Sequence, residues 1–141
     1  LYVGGGFPEL YAARLAENRV LAESLRAAVA EGMPVYAECG GLMYLAKELV
    51  ADDVAHPMAG VLDLVIEQTP RPHGHGYAEG TVERANPFFE RGAHLRGHEF
   101  HYSRPGGGKD RWGTPPRLLL PTLLSLLARG YFCSRQAQPT P

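Results

Sequence analysis

The segment 33–41, Met-Pro-Val-Tyr-Ala-Glu-Cys-Gly-Gly, constrains the fold more than any other stretch of the chain. A short, mostly apolar run ends on a charged residue, a cysteine and two glycines, and helix-favouring residues follow at once. Such a run suits a strand buried on both faces, as in a parallel sheet. A strand passing through Cys-Gly-Gly into a helix sets the cysteine on a tight turn at the C-terminal edge of the sheet, where α/β folds place their sites. A related pattern opens the chain: residues 1–3 are apolar, Gly4-Gly5-Gly6 follows, and Phe7-Pro8-Glu9 leads into a helix-favouring run over 10–31. Within that run Leu21, Leu25, Ala28 and Val29 form one apolar stripe, with Glu23, Arg26 and Glu31 off it. Asn18 is placed to split the run, and Gly32 to close it as a C-cap.

A second helix is predicted over 42–50. From Gly60 onward the texture changes to β-forming segments over 61–66, 77–82 and 95–102, separated by Gly and Pro clusters, which predicts strands, some of them antiparallel. The expected fold is α/β, a three-layer sandwich with a mainly parallel sheet from the first half and added strands from the second.

With 141 residues, 45% of them hydrophobic, the chain has the size and the core of one domain. Its net charge of -1 argues against a polybasic nucleic-acid surface and an acidic solvating tail. Two cysteines, Cys39 and Cys133, make neither a disulfide framework nor a zinc site by spacing, which fits a reducing compartment. No stretch approaches the roughly 20 apolar residues of a membrane span, and no signal-peptide pattern opens the chain, so a cytoplasmic protein is expected. The chain begins without Met, directly on a strand-like segment, as part of a longer one would. Charge is uneven: residues 1–103 hold 8 basic and 14 acidic side chains, whereas 104–141 hold 6 basic and 1 acidic, with 6 of the 12 prolines. Residues 1–103 therefore read as the domain and 104–141 as an atypical tail, altered or truncated.

The chemistry centres on Cys39. A thiol attacks as thiolate, and its pKa falls at a helix N-terminus or beside a histidine. Gly40 and Gly41 permit the tight backbone and offer N–H groups toward a developing oxyanion. An ordinary buried cysteine at a strand end is the bland alternative; the Gly-Gly after it and the second glycine loop weigh against that. Cys133 has no such setting. A base is found among the histidines of Gly97-His-Glu-Phe-His-Tyr-Ser103, where alternation puts Glu99 and His101 on one face and His98, Phe100 and Tyr102 on the other. If Phe100 and Tyr102 pack inward, His101 projects toward the cleft as general base and acid. Spacing alone does not choose between His98 and His101. His73 and His75 lack a third ligand and read as a solvated loop, so no metal site is predicted. Loop 4–6 lacks the lysine of a P-loop and the spacing of a dinucleotide fingerprint, and suits backbone donors to an oxyanion better. Glu9 and Glu38 have structural readings, favouring a helix start and capping a strand, of the same weight as functional ones.

Three segments together carry a resemblance: residues 4–18 (Gly-Gly-Gly-Phe-Pro-Glu-Leu-Tyr onward), 34–45 (Pro-Val-Tyr-Ala-Glu-Cys-Gly-Gly-Leu-Met-Tyr-Leu) and 97–103. They resemble, in the same order, the motifs of the glutaminase domain of the cobyrinic acid a,c-diamide synthase family, in the cobalamin branch of the class I-like glutamine amidotransferases, whose fold is flavodoxin-like. The resemblance covers residues 1–103. It implies that Cys39 attacks the side-chain amide of glutamine, forms a thioester and releases ammonia, with His101 as the catalytic histidine. It also implies that Gly40 and the loop around Gly5 and Gly6 stabilise the oxyanion. In the family's complete enzyme an N-terminal synthetase domain, absent from this chain, uses ATP and magnesium to activate the a and c carboxylates of a corrinoid acceptor. No cofactor is therefore expected in this chain itself, and its partners would be glutamine and that synthetase domain, with self-association through the uncovered apolar surface. Two departures stand out. Class I glutaminases usually carry a glutamate two residues after the histidine, where this chain has Ser103, so the site reads as a Cys-His dyad unless Glu99 orients the ring. The tail holds no histidine and departs from the family where the charge breaks, as a shifted reading frame would produce. An amidotransferase for another tetrapyrrole or a cell-wall precursor, and an inactive binding domain, are the alternatives.

Overall fold

A computed structural model describes residues 1–72, 74–82 and 85–106, the last two stretches without the side-chain surroundings of Gly74, Ala78 and Glu99. His73, Cys133 and the tail from residue 107 lie outside the described residues, as do the expectations attached to them.

The first unit is strand, loop, helix and strand, as expected. Strand β1 (Tyr2–Val3) pairs in parallel with β2 (Tyr36–Ala37), and Glu38 N–H extends the ladder to the Val3 carbonyl at 3.0 Å. Between them lie a 3₁₀ turn (Pro8–Tyr11) and two helices, α1 (Ala12–Glu17) and α2 (Arg19–Ala30). Asn18 does split the run: its ψ of 63° breaks the helix while its side chain accepts from Leu21 N–H at 3.2 Å, capping α2. At the other end Gly32, at φ +98°, donates to the Val29 carbonyl and Met33 N–H to that of Ala28, the paired bonds of a Schellman closure. The buried stripe of α2 is turned slightly from the one expected: Ala22, Leu25 and Val29 meet the core and Leu21 is exposed. Arg26 ties α2 to the Ala59 carbonyl at 2.7 Å.

The second predicted helix is cut short. Helix α3 covers only Gly40–Leu45, and residues expected to continue it form β3 (Ala46–Ala51). Helix propensity favours Ala-Lys-Glu-Leu, but β3 is central in a four-stranded sheet, where strands on both sides supply its hydrogen bonds and Leu49 is fully buried. Tertiary pairing outweighs a propensity difference of a few tenths of a kcal/mol per residue. On one side β3 pairs antiparallel with β4 (Val54–Pro57), a strand the sequence reading missed; on the other it pairs in parallel with β5 (Leu62–Gln68). The β3–β4 link is a two-residue turn with Asp52 and Asp53 at φ 50° and 59°, the left-handed conformation that short polar side chains tolerate.

The later strands form where β-forming segments were expected. Strands β6 (Gly74–Thr81) and β7 (His94–His101) make an antiparallel hairpin, and β8 (Ser103–Pro105) pairs antiparallel with β5, bringing the end of β7 back to the main sheet. The architecture is α/β, but the sheets are not all parallel: parallel pairing is confined to β1–β2 and β3–β5 among the described residues. Leu45, Leu49 and Ile66 form the fully buried centre beneath α3 and the main sheet. No helix among the described residues is long and apolar enough to cross a membrane.

Candidate functional site

Cys39 sits where β2 turns into α3, at φ 47° and ψ −116°. That backbone conformation is ordinary for glycine and costs another residue on the order of 1–3 kcal/mol, so the surrounding structure must impose it. The imposing contacts are backbone to backbone. A Cβ on Gly41 would lie 2.7 Å from the Gly4 oxygen, and one on Gly40 would lie 2.7 Å from the Gly6 carbonyl carbon. Both Gly40 and Gly41 are thus required by close approach of the loop at 4–6, which locks two glycine segments far apart in sequence against each other. The turn is closed by Gly41 N–H donating to the Glu38 carbonyl at 2.8 Å. That bond corrects one expectation: the Gly41 N–H serves the turn and not an oxyanion.

Glu38, beside the cysteine, is 6% exposed and does more than cap a strand. Its two carboxylate oxygens accept from the Tyr2 hydroxyl at 2.8 Å and the Tyr36 hydroxyl at 3.0 Å, and the two tyrosine rings stack at 5.8 Å. The carboxylate therefore braces β1 to β2 directly behind the cysteine turn.

The half-buried Cys39 lines a narrow cleft of about 40 Å³, together with Gly6, Glu9, Gln68, His101 and Ser103. Of the two histidines left open by spacing, His101 is the one brought to the cysteine's cleft; His98 is exposed on the opposite face of β7. The inward packing expected of Phe100 and Tyr102 does not occur. Each is 43% exposed and it is His101, at 9%, that turns inward. The alternation of faces was right and its direction reversed, because His101 has a buried partner: its Nδ1 lies 2.8 Å from the Ser103 carbonyl. A carbonyl only accepts, so Nδ1 carries the proton, and in the neutral ring Nε2 is the basic nitrogen.

Of the remaining predicted residues, Gly6 lines the cleft, Gly40 begins α3 immediately after the cysteine, and Gly5 is exposed in its loop. The backbone of Glu99 lies opposite Gly76 in the hairpin; its side chain, and with it the suggested orienting role, lies outside the described residues. Sequence reasoning missed the Ser103 carbonyl, which leaves no side-chain signature, and the bracing by Glu38. Among the described residues no group of three or more His, Cys, Asp or Glu side chains is arranged to hold a metal ion. A larger cavity, about 660 Å³, lies on the other side of the glycine loop against α1 and Tyr44; it shares Gly6 and Phe7 with the cleft but has neither the thiol nor the imidazole.

Comparison with known proteins finds a family and relatives for this chain. Residues 1–113 match the CobB/CobQ-like glutamine amidotransferase domain. The cobyrinate a,c-diamide synthase of Caldanaerobacter subterraneus subsp. tengcongensis is 46% identical over 108 residues, which cover 76% of this chain and 24% of that protein. Those of Listeria monocytogenes, at 45% over 103 residues, and Dehalococcoides mccartyi, at 42% over 105, cover 73% and 74% of this chain and 23% of each relative. The chain thus spans about a quarter of the length of the relatives it matches. The match over residues 1–113 places this chain in the family of CobB/CobQ-like glutamine amidotransferase domains.

Proposed function

We propose that this chain is the glutaminase part of a cobyrinate a,c-diamide synthase, with Cys39 as nucleophile and His101 as general base and acid. One observation carries the mechanism: the strained Cys39 and a His101 whose Nδ1–H is committed to the Ser103 carbonyl line one cleft. In that tautomer Nε2 takes the thiol proton as sulfur attacks the side-chain amide carbon of glutamine. The Gly40 N–H and the backbone around Gly6 stabilise the oxyanion. His101 then returns the proton to the departing nitrogen, ammonia leaves, and a γ-glutamyl thioester remains on Cys39. Water, deprotonated by the same ring, hydrolyses the thioester to glutamate and restores the thiol.

The relatives are named for amidation of cobyrinate, and they are about four times longer than the matched segment. The ammonia would therefore serve a synthetase part in which ATP and magnesium activate the a and c carboxylates of the corrinoid. The steps assigned to Cys39 and His101 do not draw on those groups. We infer a cytoplasmic reaction, because it would draw on free glutamine and ATP. Ammonia release from glutamine by the chain, with and without a synthetase part, tests the reading. Cys39→Ala should abolish the release, and release that survives the substitution contradicts the assignment.

A further inference from the structure

The cleft holds one carboxylate that the mechanism leaves unused. Glu9 stands in the 3₁₀ turn that follows the glycine loop and lines the cleft with Cys39 and His101. Its Oε2 is shut off from solvent, and no group among the described residues donates a hydrogen bond to it. A carboxylate oxygen enclosed without a donor is costly, and a cation or donor brought by the ligand would satisfy it. Glu38, the other acid beside a glycine-rich turn, is turned to Tyr2 and Tyr36 and does not line the cleft. Nor is Glu9 needed for an ion pair, because the other described side chains along the cleft are Phe7, Met43, Gln68 and rings or hydroxyls, none of them a lysine or arginine.

Glutamine bound with its amide at the thiol carries one cation, the α-ammonium, four bonds from the amide carbon. We propose that Glu9 is the residue that binds this α-ammonium, so that the cleft selects glutamine as a free amino acid and rejects glutamine whose amino group is acylated. The inference rests on the glutaminase reading and adds a substrate-binding residue to it. Pairing the Glu9 carboxylate with the ammonium uses a charge-assisted bond, stronger than a neutral one. Such a site rejects an analogue lacking the donor because the buried acceptor is then left unpaired.

The test uses protection of Cys39 from iodoacetamide, which reports occupancy of the cleft whether or not turnover follows. L-glutamine should protect the wild-type chain, and N-acetyl-L-glutamine should require a concentration at least about tenfold higher. In Glu9→Gln the half-protecting concentration of L-glutamine should rise about tenfold to a hundredfold, and the preference over the acetylated compound should collapse. The alkylation rate of Glu9→Gln without ligand should stay within about twofold of wild type, showing that the thiol and its turn are intact. Equal protection of both proteins by glutamine overturns the role of Glu9 while leaving the glutaminase reading in place. If wild type is protected by neither compound, both fail together. Should Glu9→Gln not fold, the wild-type comparison decides alone, and equal protection by the two compounds contradicts the proposal.

Discussion

The Nδ1 of His101 lies 2.8 Å from the carbonyl oxygen of Ser103, two residues on in the same chain. A backbone acceptor there does what a carboxylate does in a triad: it fixes the tautomer and the orientation of the ring. It differs in charge. A carbonyl carries no net charge, so it holds the ring in place without an ion pair. Ser103 is itself fixed, since its backbone pairs with Gln68 and its side chain is 3% exposed.

That relationship separates the backbone of residue 103 from its side chain. Ser103→Ala keeps the carbonyl and should change kcat for glutamine hydrolysis by less than about threefold, whereas His101→Ala should lower it by about 10²- to 10⁴-fold. Steady-state kinetics on the two variants checks the contrast. A loss in Ser103→Ala comparable with that in His101→Ala would mean that the hydroxyl takes part.

Strain at Cys39 gives a stability prediction of opposite sign to the activity one. Glycine at φ 47° and ψ −116° relieves on the order of 1–3 kcal/mol and costs about 0.5–1 kcal/mol in chain entropy. Cys39→Gly should therefore be more stable than Cys39→Ala by about 1 kcal/mol in urea unfolding, and both should be inactive. Equal stability would show that the turn holds no strain.

Gly41→Ala adds a methyl 2.7 Å from the Gly4 oxygen and 2.8 Å from the Val3 carbonyl carbon, both backbone atoms that cannot swing aside. A loss of about 2–3 kcal/mol is expected, together with a drop in activity as the loop carrying Gly6 is pushed from the cleft. Gly32→Ala, whose added methyl would meet nothing within 4 Å but whose φ is +98°, should lose about 1 kcal/mol and keep the active cleft intact. Unfolding curves and activity on the pair distinguish a close approach from a local conformational need.

Tyr44 is buried, its hydroxyl has no hydrogen-bond partner among the described residues, and burial raises its pKa above 10.0 against an opposing pull from Arg26. A proton held more tightly in the folded state than in the unfolded chain means stability that is intact below pH 10 and falls as pH rises from there toward the folded pKa. Tyr44→Phe should be neutral or stabilising by up to about 1 kcal/mol at pH 7, and it should lack the alkaline loss that the wild type shows. Paired unfolding curves at neutral and alkaline pH measure both effects.

The glycines and the cysteine were legible because each answers a local backbone demand: Gly32 a left-handed cap, Gly40 and Gly41 a turn too tight for a Cβ. Asn18 was legible for the same kind of reason, as a side chain able to cap. What escaped depends on partners distant in sequence. Residues 46–50 read as helix because their propensity is helical, and only pairing with β4 and β5 makes them a strand. The two faces of β7 were separated correctly by alternation, but which face points inward depends on the Ser103 carbonyl and on the return of β8 to the main sheet. Alternation has a period and no sign. Glu9 and Glu38 look alike in sequence, each beside a glycine-rich turn, yet one carboxylate is held by two tyrosines and the other opens on the cleft.

The account stands most directly on a covalent bond between Cys39 and glutamine. Acid quenching of the chain during turnover, followed by mass spectrometry of the peptide containing Cys39, should show a glutamyl adduct that hydroxylamine removes and that is absent from Cys39→Ala. Ammonia release at an undiminished rate from Cys39→Ala, or an adduct on another residue, would contradict the central claim.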